Sequence, residues 1–221
     1  TYKEGIKKIN STFGEDILMI RKMDFSKLEN NFQQAIPRFL QTPIIKTEYV
    51  YIGDVDILIL DSMITEQHQL HMLQCDLPFS NFIREDLNNE KEKICPRLSG
   101  LHFTKWGAYF PLPDKINFQS EYSSEYVLYD LVKSKVGDFK IETKFRPMHG
   151  FHISDSLDTW HPKSSRQIGL HTTYLNNYLR LRDSKEWNET KAYFHPIYLS
   201  WLRSIDAAIN YVWPNNNGKS I

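Results

Sequence analysis

The stretch that decides the fold runs from Tyr49 to Asp61 and reads Y-V-Y-I-G-D-V-D-I-L-I-L-D. Its first four residues are aromatic or β-branched, and such residues favour a buried strand because they pack well on a pleated surface. Gly53 follows, and then the two carboxylates Asp54 and Asp56 stand one residue apart. Side chains alternate along a strand, so both carboxylates should point to the same side.

Two carboxylates that close repel each other unless a cation or a proton lies between them. Mg²⁺ and Mn²⁺ prefer oxygen ligands of this kind and often share them with substrate phosphates. We therefore predict a divalent metal site at Asp54 and Asp56. The alternative is a strand that ends in a turn with two solvated aspartates.

Composition limits the class of protein. The chain has 221 residues, enough for one domain with a sizeable core. Basic and acidic residues number 27 each, so charge gives no reason to expect a nucleic-acid partner. Only Cys75 and Cys95 are present, which favours a reducing compartment. We find no membrane-spanning run, and we expect a cytoplasmic protein, with peripheral association at the inner face of a membrane as the alternative.

The segments before the central strand predict the fold class. Asp16–Ile20 is typical of a short buried strand, and the capping box S-K-L-E at Ser26 begins a helix that should run to about Pro37. Strand, helix and strand in this order predict an α/β fold with a mostly parallel sheet flanked by helices. Ligands of such sheets bind at the carboxyl ends of strands, where Asp54 and Asp56 would lie.

Apolar spacing predicts three later elements, which are a strand at Leu101–Thr104, a helix at Ser123–Val136 that ends at Gly137, and a terminal helix within Tyr193–Trp213. The inward face of the second element should consist of Val127, Leu128, Leu131 and Val132. A polar helix should follow Ser62, with His68 and His71 as surface histidines rather than metal ligands.

The segment Lys144–Ser154 reads K-F-R-P-M-H-G-F-H-I-S. Its proline and Gly150 predict a bend away from the sheet. Such a bend could carry His149 or His152 towards the metal and Arg146 towards a phosphate. The alternative is a pair of histidines that cap backbone groups in a loop.

The D-V-D strand, its Y-V-Y-I-G approach and the preceding A-I-P-R-F-L segment resemble the D-x-D region of GT-A fold glycosyltransferases of the bacterial polysaccharide type. The resemblance covers about Ser26 to Ser154 and implies a GT-A-like, Rossmann-like domain. In that family the two aspartates bind Mn²⁺ or Mg²⁺, which holds the diphosphate of a nucleotide sugar. A late histidine of some members joins the metal, and H-G-F-H is similar in placement.

The resemblance also implies roles for particular residues. Those implied for the nucleotide sugar are Gly53, Asp54, Val55 and Arg146, and those implied for the metal are Asp54, Asp56, His149 and His152. A wall of polar and aromatic residues is expected to contact the sugar or the acceptor, namely Arg97, His102, Trp106 and Tyr109. An inverting reaction needs a general base, for which Asp155, Asp158 and Glu125 are candidates, although Glu125 also suits a solvated helix position.

The family's first strand normally lies well upstream of its D-x-D motif, whereas only 53 residues precede Asp54 here. We therefore expect residues 1–221 to form a single catalytic domain that lacks an upstream first strand. Its expected activity is transfer of a sugar from a nucleotide sugar to a glycan or other carbohydrate.

Two other classes remain open. One is a phosphohydrolase of the haloacid-dehalogenase kind, in which Asp54 is the nucleophile and Asp56 the general acid. The other is a sugar-binding protein without activity that keeps a GT-A-like shell.

Overall fold

The structure is a computed structural model that describes residues 2–13, 35–54, 57–85, 96–113, 123–141, 145, 149–152, 175–194 and 196–212. The chain divides into two compact units. The central unit comprises Phe25–Val55 and Met63–Met148, and the terminal unit comprises Thr1–Asp24, Asp56–Ser62 and His149–Ile221. Each has its own apolar core.

The central unit is built on a three-stranded sheet. Strand β1 (Tyr49–Ile52) pairs with β6 (His102–Lys105), and β6 pairs on its other side with β3 (Phe79–Ser80). The register places Tyr49 opposite Lys105 and Ile52 opposite His102. Successive residues of β6 point to opposite faces, and both faces are buried from His102 to Thr104, so this strand is covered on both sides.

Helices and a second strand pair complete the central unit. Helix α2 (Ile64–Cys75) ends at Asp76, whose φ of 52° is left-handed, and it packs against β3. Strand β4 (Ile83–Glu85) pairs with β5 (Pro96–Leu98). The short helix α3 (Trp106–Tyr109) follows β6 directly.

Helix α4 (Ser124–Val136) supplies much of the core of the central unit. Four of its apolar side chains are buried at helical spacing, as predicted, and these are Val127, Leu128, Leu131 and Val132. Gly137 ends the helix with a φ of 80°, a conformation that favours glycine. The predicted helix, its inward face and its end are therefore confirmed.

The terminal unit pairs β2 (Ile57–Ile59) with β7 (Gly150–His152). Its helices are α1 (Tyr2–Phe13), α5, which includes residues 175–182, α6 (Lys185–Thr190) and α7 (Pro196–Val212). The predicted terminal helix is confirmed as α7, whose Leu202, Ile205 and Ile209 are buried with Leu175 and Tyr178.

The predicted α/β class is confirmed, but the mostly parallel sheet is not what the described strands form. The class is mixed α/β, but every strand pair in the described part of the chain is antiparallel. The apolar runs on either side of the two aspartates also belong to different sheets, one as β1 and the other as β2. The predicted strand Asp16–Ile20 and most of the Ser26–Pro37 helix lie outside the described residues, which include a 3₁₀ turn at Ile36–Phe39.

None of the helices in the described ranges has the length and apolar character that crossing a membrane requires.

Candidate functional site

The central unit holds Asp54 beside an arginine. Asp54 follows β1 by two residues, and its Oδ1 forms an ion pair with the guanidinium of Arg38. The two side chains are 33% and 22% exposed, so solvent reaches both. Arg38 projects from the 3₁₀ turn, whose Ile36, Pro37 and Phe39 are buried. The core thus fixes the base of Arg38, whose side chain is only 22% exposed.

The loop Ser99–Leu101, which joins β5 to β6, is held by side chains on two sides. The amide oxygen of Asn81 accepts the backbone N–H groups of Ser99 (3.0 Å) and Phe82 (2.7 Å), and its nitrogen donates to the Ser99 carbonyl (3.0 Å). Glu125 from α4 accepts the Gly100 N–H at 3.2 Å with one carboxylate oxygen. These bonds satisfy buried backbone groups and so fix the loop's position.

Gly100 brings this loop against the Arg38–Asp54 pair. A Cβ added at Gly100 would lie 2.5 Å from a guanidinium nitrogen of Arg38 and 3.6 Å from Oδ2 of Asp54. Only glycine leaves this space without moving the arginine. The site therefore consists of the end of β1, the 3₁₀ turn and the loop Ser99–Leu101.

Glu125 and Arg97 form a second ion pair beside the same loop. The second carboxylate oxygen of Glu125 contacts the Arg97 guanidinium, and the two side chains are 14% and 23% exposed. Glu125 is therefore not the solvated helix residue that its position predicted. Arg97 is engaged with protein rather than presented as an open sugar contact.

The residues predicted to contact a sugar lie largely in the buried interior of the central unit. His102 is fully buried, its Nδ1 lies 3.2 Å from the side-chain nitrogen of Asn81, and burial lowers its pKa to about 3. Tyr109 is 1% exposed and donates to the Phe39 carbonyl at 2.9 Å, while burial raises its pKa. Trp106 is partly buried, with its ring 4.9 Å from that of Phe110. Neither His102 nor Tyr109 presents a surface to a sugar in this arrangement.

His68 and His71 are buried, so their predicted surface position was wrong. The Ser80 hydroxyl lies 2.7 Å from Nδ1 of His68 and 2.8 Å from Nδ1 of His71, and it can donate to one ring and accept from the other. The His68 ring stacks on Phe103 at 4.7 Å. Burial lowers the pKa of His71. These contacts tie α2 to the sheet, which is a structural role.

The terminal unit contains a buried acid and imidazole. His149 Nδ1 lies 3.4 Å from Oδ2 of Asp61, with side chains 0% and 8% exposed. Burial lowers the pKa of His149, and Asp61 partly offsets this effect. Gly150 and His152 belong to β7, so Gly150 does not bend the chain away from the sheet as predicted, while Pro147 lies outside the described residues. The reason is close packing, because a Cβ at Gly150 would overlap the Leu58 carbonyl oxygen.

Several predicted residues lie outside the described part of the chain, namely Val55, Asp56, Arg146, Asp155 and Asp158. Asp54 belongs to the central unit, whereas His149 and His152 belong to the terminal unit. Within the described residues, no three or more histidine, cysteine or acidic side chains are grouped so as to hold a metal.

A surface cavity of about 540 Å³ lies at the other end of β1 from Asp54, with Tyr49, Met72 and Lys105 among its lining residues. It is therefore separate from the Asp54 site.

Sequence reasoning identified Asp54, Arg97 and Glu125 but missed two residues that complete the site. Arg38 stands within the A-I-P-R-F-L segment that carried the resemblance, yet nothing in its spacing assigns it a partner. Asn81 precedes β4 by two residues and has no local signal at all.

No protein-family model, curated protein or solved structure matches this chain.

Proposed function

We propose that this chain is a metal-dependent glycosyltransferase with a GT-A-like fold, which moves a sugar from a nucleotide-sugar donor to a carbohydrate acceptor. The observation that supports it is the position of Asp54. A carboxylate at the end of a strand lies against a guanidinium and against a glycine backbone held by a second acid. This combination suits a cation and a phosphate together.

The Asp54 carboxylate is an oxygen ligand of the kind that a divalent cation takes, and it is 33% exposed. A cation would have to compete there with the Arg38 guanidinium. Mn²⁺ or Mg²⁺, when bound, would offset the negative charge that develops on the departing nucleoside diphosphate. Asp54 of the central unit would be a ligand of the metal. The metal roles of Asp56, His149 and His152 stay predictions from the resemblance. Arg146 stays the predicted phosphate contact of its segment.

The remaining residues of the site would position the donor. Glu125 holds both the Gly100 N–H and Arg97, so it fixes the loop that faces Asp54. Gly100 has no side chain of its own, and this is what lets the Arg38 guanidinium approach its backbone closely. This gives Glu125 a positioning role, and no group among the described residues is assigned as the general base.

The test is a thermal-shift screen of nucleotide sugars with Mn²⁺, performed on the full-length protein. At least one donor should raise the melting temperature, because a ligand that binds the folded state stabilises it by mass action. Asp54→Asn keeps the side-chain shape but removes the charge, and it should abolish this shift. Asp138→Asn is the matched control, since Asp138 is 90% exposed and pairs only at the surface with Lys133.

The outcomes of this screen distinguish a glycosyltransferase from a phosphohydrolase and from a non-enzymatic sugar-binding protein. Release of phosphate from phosphomonoesters, with no stabilisation by any nucleotide sugar, would overturn the proposal in favour of the hydrolase. Binding of free sugars without metal or nucleotide would favour the non-enzymatic sugar-binding protein. Under the proposal, the enzyme acts in the cytoplasm or at the inner face of a membrane on a carbohydrate acceptor.

A further inference from the structure

We propose that Cys75 is an oxidation-sensitive thiol, which hydrogen peroxide converts to a sulfenic acid with His71 as the base. The sulfur lies 3.3 Å from Nε2 of His71, which stands four residues earlier in α2. Residues four apart lie on the same face of a helix, so α2 itself brings the thiol to the imidazole. The reactivity of this thiol does not require the proposed transfer of a sugar.

A serine orients the His71 ring from its other side. Nδ1 of His71 lies 2.8 Å from the Ser80 hydroxyl, which is itself 2.7 Å from Nδ1 of His68. When His71 donates its Nδ1–H to Ser80, the hydroxyl donates to His68, and Nε2 of His71 is left as an acceptor for the thiol proton. Phe145 stacks on the His71 ring with 4.3 Å between the centroids. A nucleophile, a base and a third group that orients the base together form the arrangement that activates a cysteine.

The surroundings of His71 make it a neutral base. The residue is 1% exposed, and burial lowers its pKa from 6.5, so the ring can accept a proton at neutral pH. Cys75 is the last residue of α2, where the carbonyl groups of the helix end disfavour a negative charge. Because the thiolate is the reactive form, transfer of the thiol proton to Nε2 is the step that makes Cys75 a nucleophile.

The sulfur is open to a small oxidant, since Cys75 is half-buried and its neighbours Gln74 and Asp76 are exposed. The thiolate attacks one oxygen of hydrogen peroxide, so an S–O bond forms and the O–O bond breaks. Sulfur loses two electrons and the peroxide gains them. The leaving hydroxide takes the proton held at Nε2 and becomes water. The sulfenic acid that results is returned to the thiol by a thiol reductant.

The rate of sulfenic acid formation tests this proposal on the full chain, with dimedone to trap the product and peptide mass spectrometry to locate it. Peptide mapping separates Cys75 from Cys95, the other cysteine of the sequence. A thiol with the ordinary pKa of about 8.5 is only about 3% ionised at pH 7, so its rate rises about tenfold per pH unit. With His71 as the base, we expect the rate at Cys75 to change less than about twofold between pH 7 and pH 8.5.

A variant of the base gives a second measurement. His71→Gln keeps a polar atom near the sulfur but cannot take up a proton. We expect it to slow oxidation on the order of tenfold at pH 7 and to leave the rate at pH 9.5 almost unchanged, because the thiol then ionises without a base. His102→Asn is the matched control, since this buried histidine contacts Asn81 and Phe79, and it should change neither rate.

Three results would overturn the proposal. The first is a wild-type rate at Cys75 that rises tenfold per pH unit from pH 7, a measurement that requires no variant to fold. The second is an absence of any dimedone adduct at Cys75 in the folded protein. The third is equal slowing of His71→Gln at both pH values, which would assign His71 to structure alone. If His71→Gln does not fold, His71→Asn keeps an amide beside Ser80 and removes Nε2, and it should show the same loss at pH 7 only.

Discussion

The imidazole of His102 is fully buried in β6, and burial lowers its pKa from 6.5 to about 3. The folded protein therefore keeps this ring neutral, whereas the unfolded chain binds a proton as soon as the pH falls below about 6.5. Between these two pH values the unfolded state binds more protons than the folded state. The contribution of His102 to the free energy of unfolding is therefore fully present above pH 6.5 and is lost as the pH falls towards 3.

From this we expect His102 alone to remove about 2 kcal/mol from the free energy of unfolding between pH 7 and pH 5. His102→Asn should reduce the pH dependence by that amount, as measured by urea unfolding at both pH values. Thr104→Ala, another buried change in the same strand, should lower stability equally at both. An unchanged pH dependence in His102→Asn would mean that this ring is protonated in the folded state.

Glu125 acts on the site through its neighbours, because it accepts the Gly100 N–H and pairs with Arg97. Glu125→Gln should keep a hydrogen-bond acceptor at this position but remove its negative charge. The partly buried guanidinium of Arg97 then loses its ion pair with residue 125. We expect a loss of about 2 kcal/mol in the free energy of unfolding. The exposed pair of Lys133 and Asp138 provides the comparison, and Asp138→Asn should be almost neutral in the same urea titration. Equal effects of the two variants would contradict the supporting role of Glu125.

Strand β7 begins with Gly150, a residue that we predicted from the sequence to interrupt the strand. Gly150→Ala would place its Cβ against the Leu58 carbonyl, which belongs to backbone and cannot move without separating β2 from β7. We expect a loss of about 3 kcal/mol in the free energy of unfolding. Gly107→Ala is the control, because a Cβ there has no neighbour within 4 Å among the described atoms and suits a helix. Comparable destabilisation by both variants, measured by thermal unfolding, would argue against the β2–β7 pairing.

Over the whole chain, two separate cores suggest that stability is local to each unit. Leu128 is fully buried in the core of the central unit, and Ile205 is fully buried in that of the terminal unit. Leu128→Ala and Ile205→Ala should each cost about 3 kcal/mol.

Hydrogen exchange measured by mass spectrometry locates each loss. Leu128→Ala should increase exchange in peptides from residues 124–136 more than in those from 196–212, and Ile205→Ala should do the reverse. If either variant increases exchange equally in both regions, the two cores unfold as one.

Local periodicity determined much of this fold in advance. The run at Tyr49–Ile52 forms a strand, Ser124–Val136 forms a helix with the expected inward face, and Gly137 ends it. These features depend on propensity, spacing and backbone freedom, which a short window of sequence contains. The same window placed Asp54 after a strand, and hence near the edge of a sheet.

Only the tertiary structure decided which residues meet. Strand direction depends on partners distant in the chain, so the strand, helix and strand order predicted a parallel sheet where the described pairs are antiparallel. His68 and His71 look like surface residues until Ser80 lies between them, and Arg38 has no visible role until it reaches Asp54. Burial and ion pairing arise from contacts between remote segments, and for that reason no local pattern contains them.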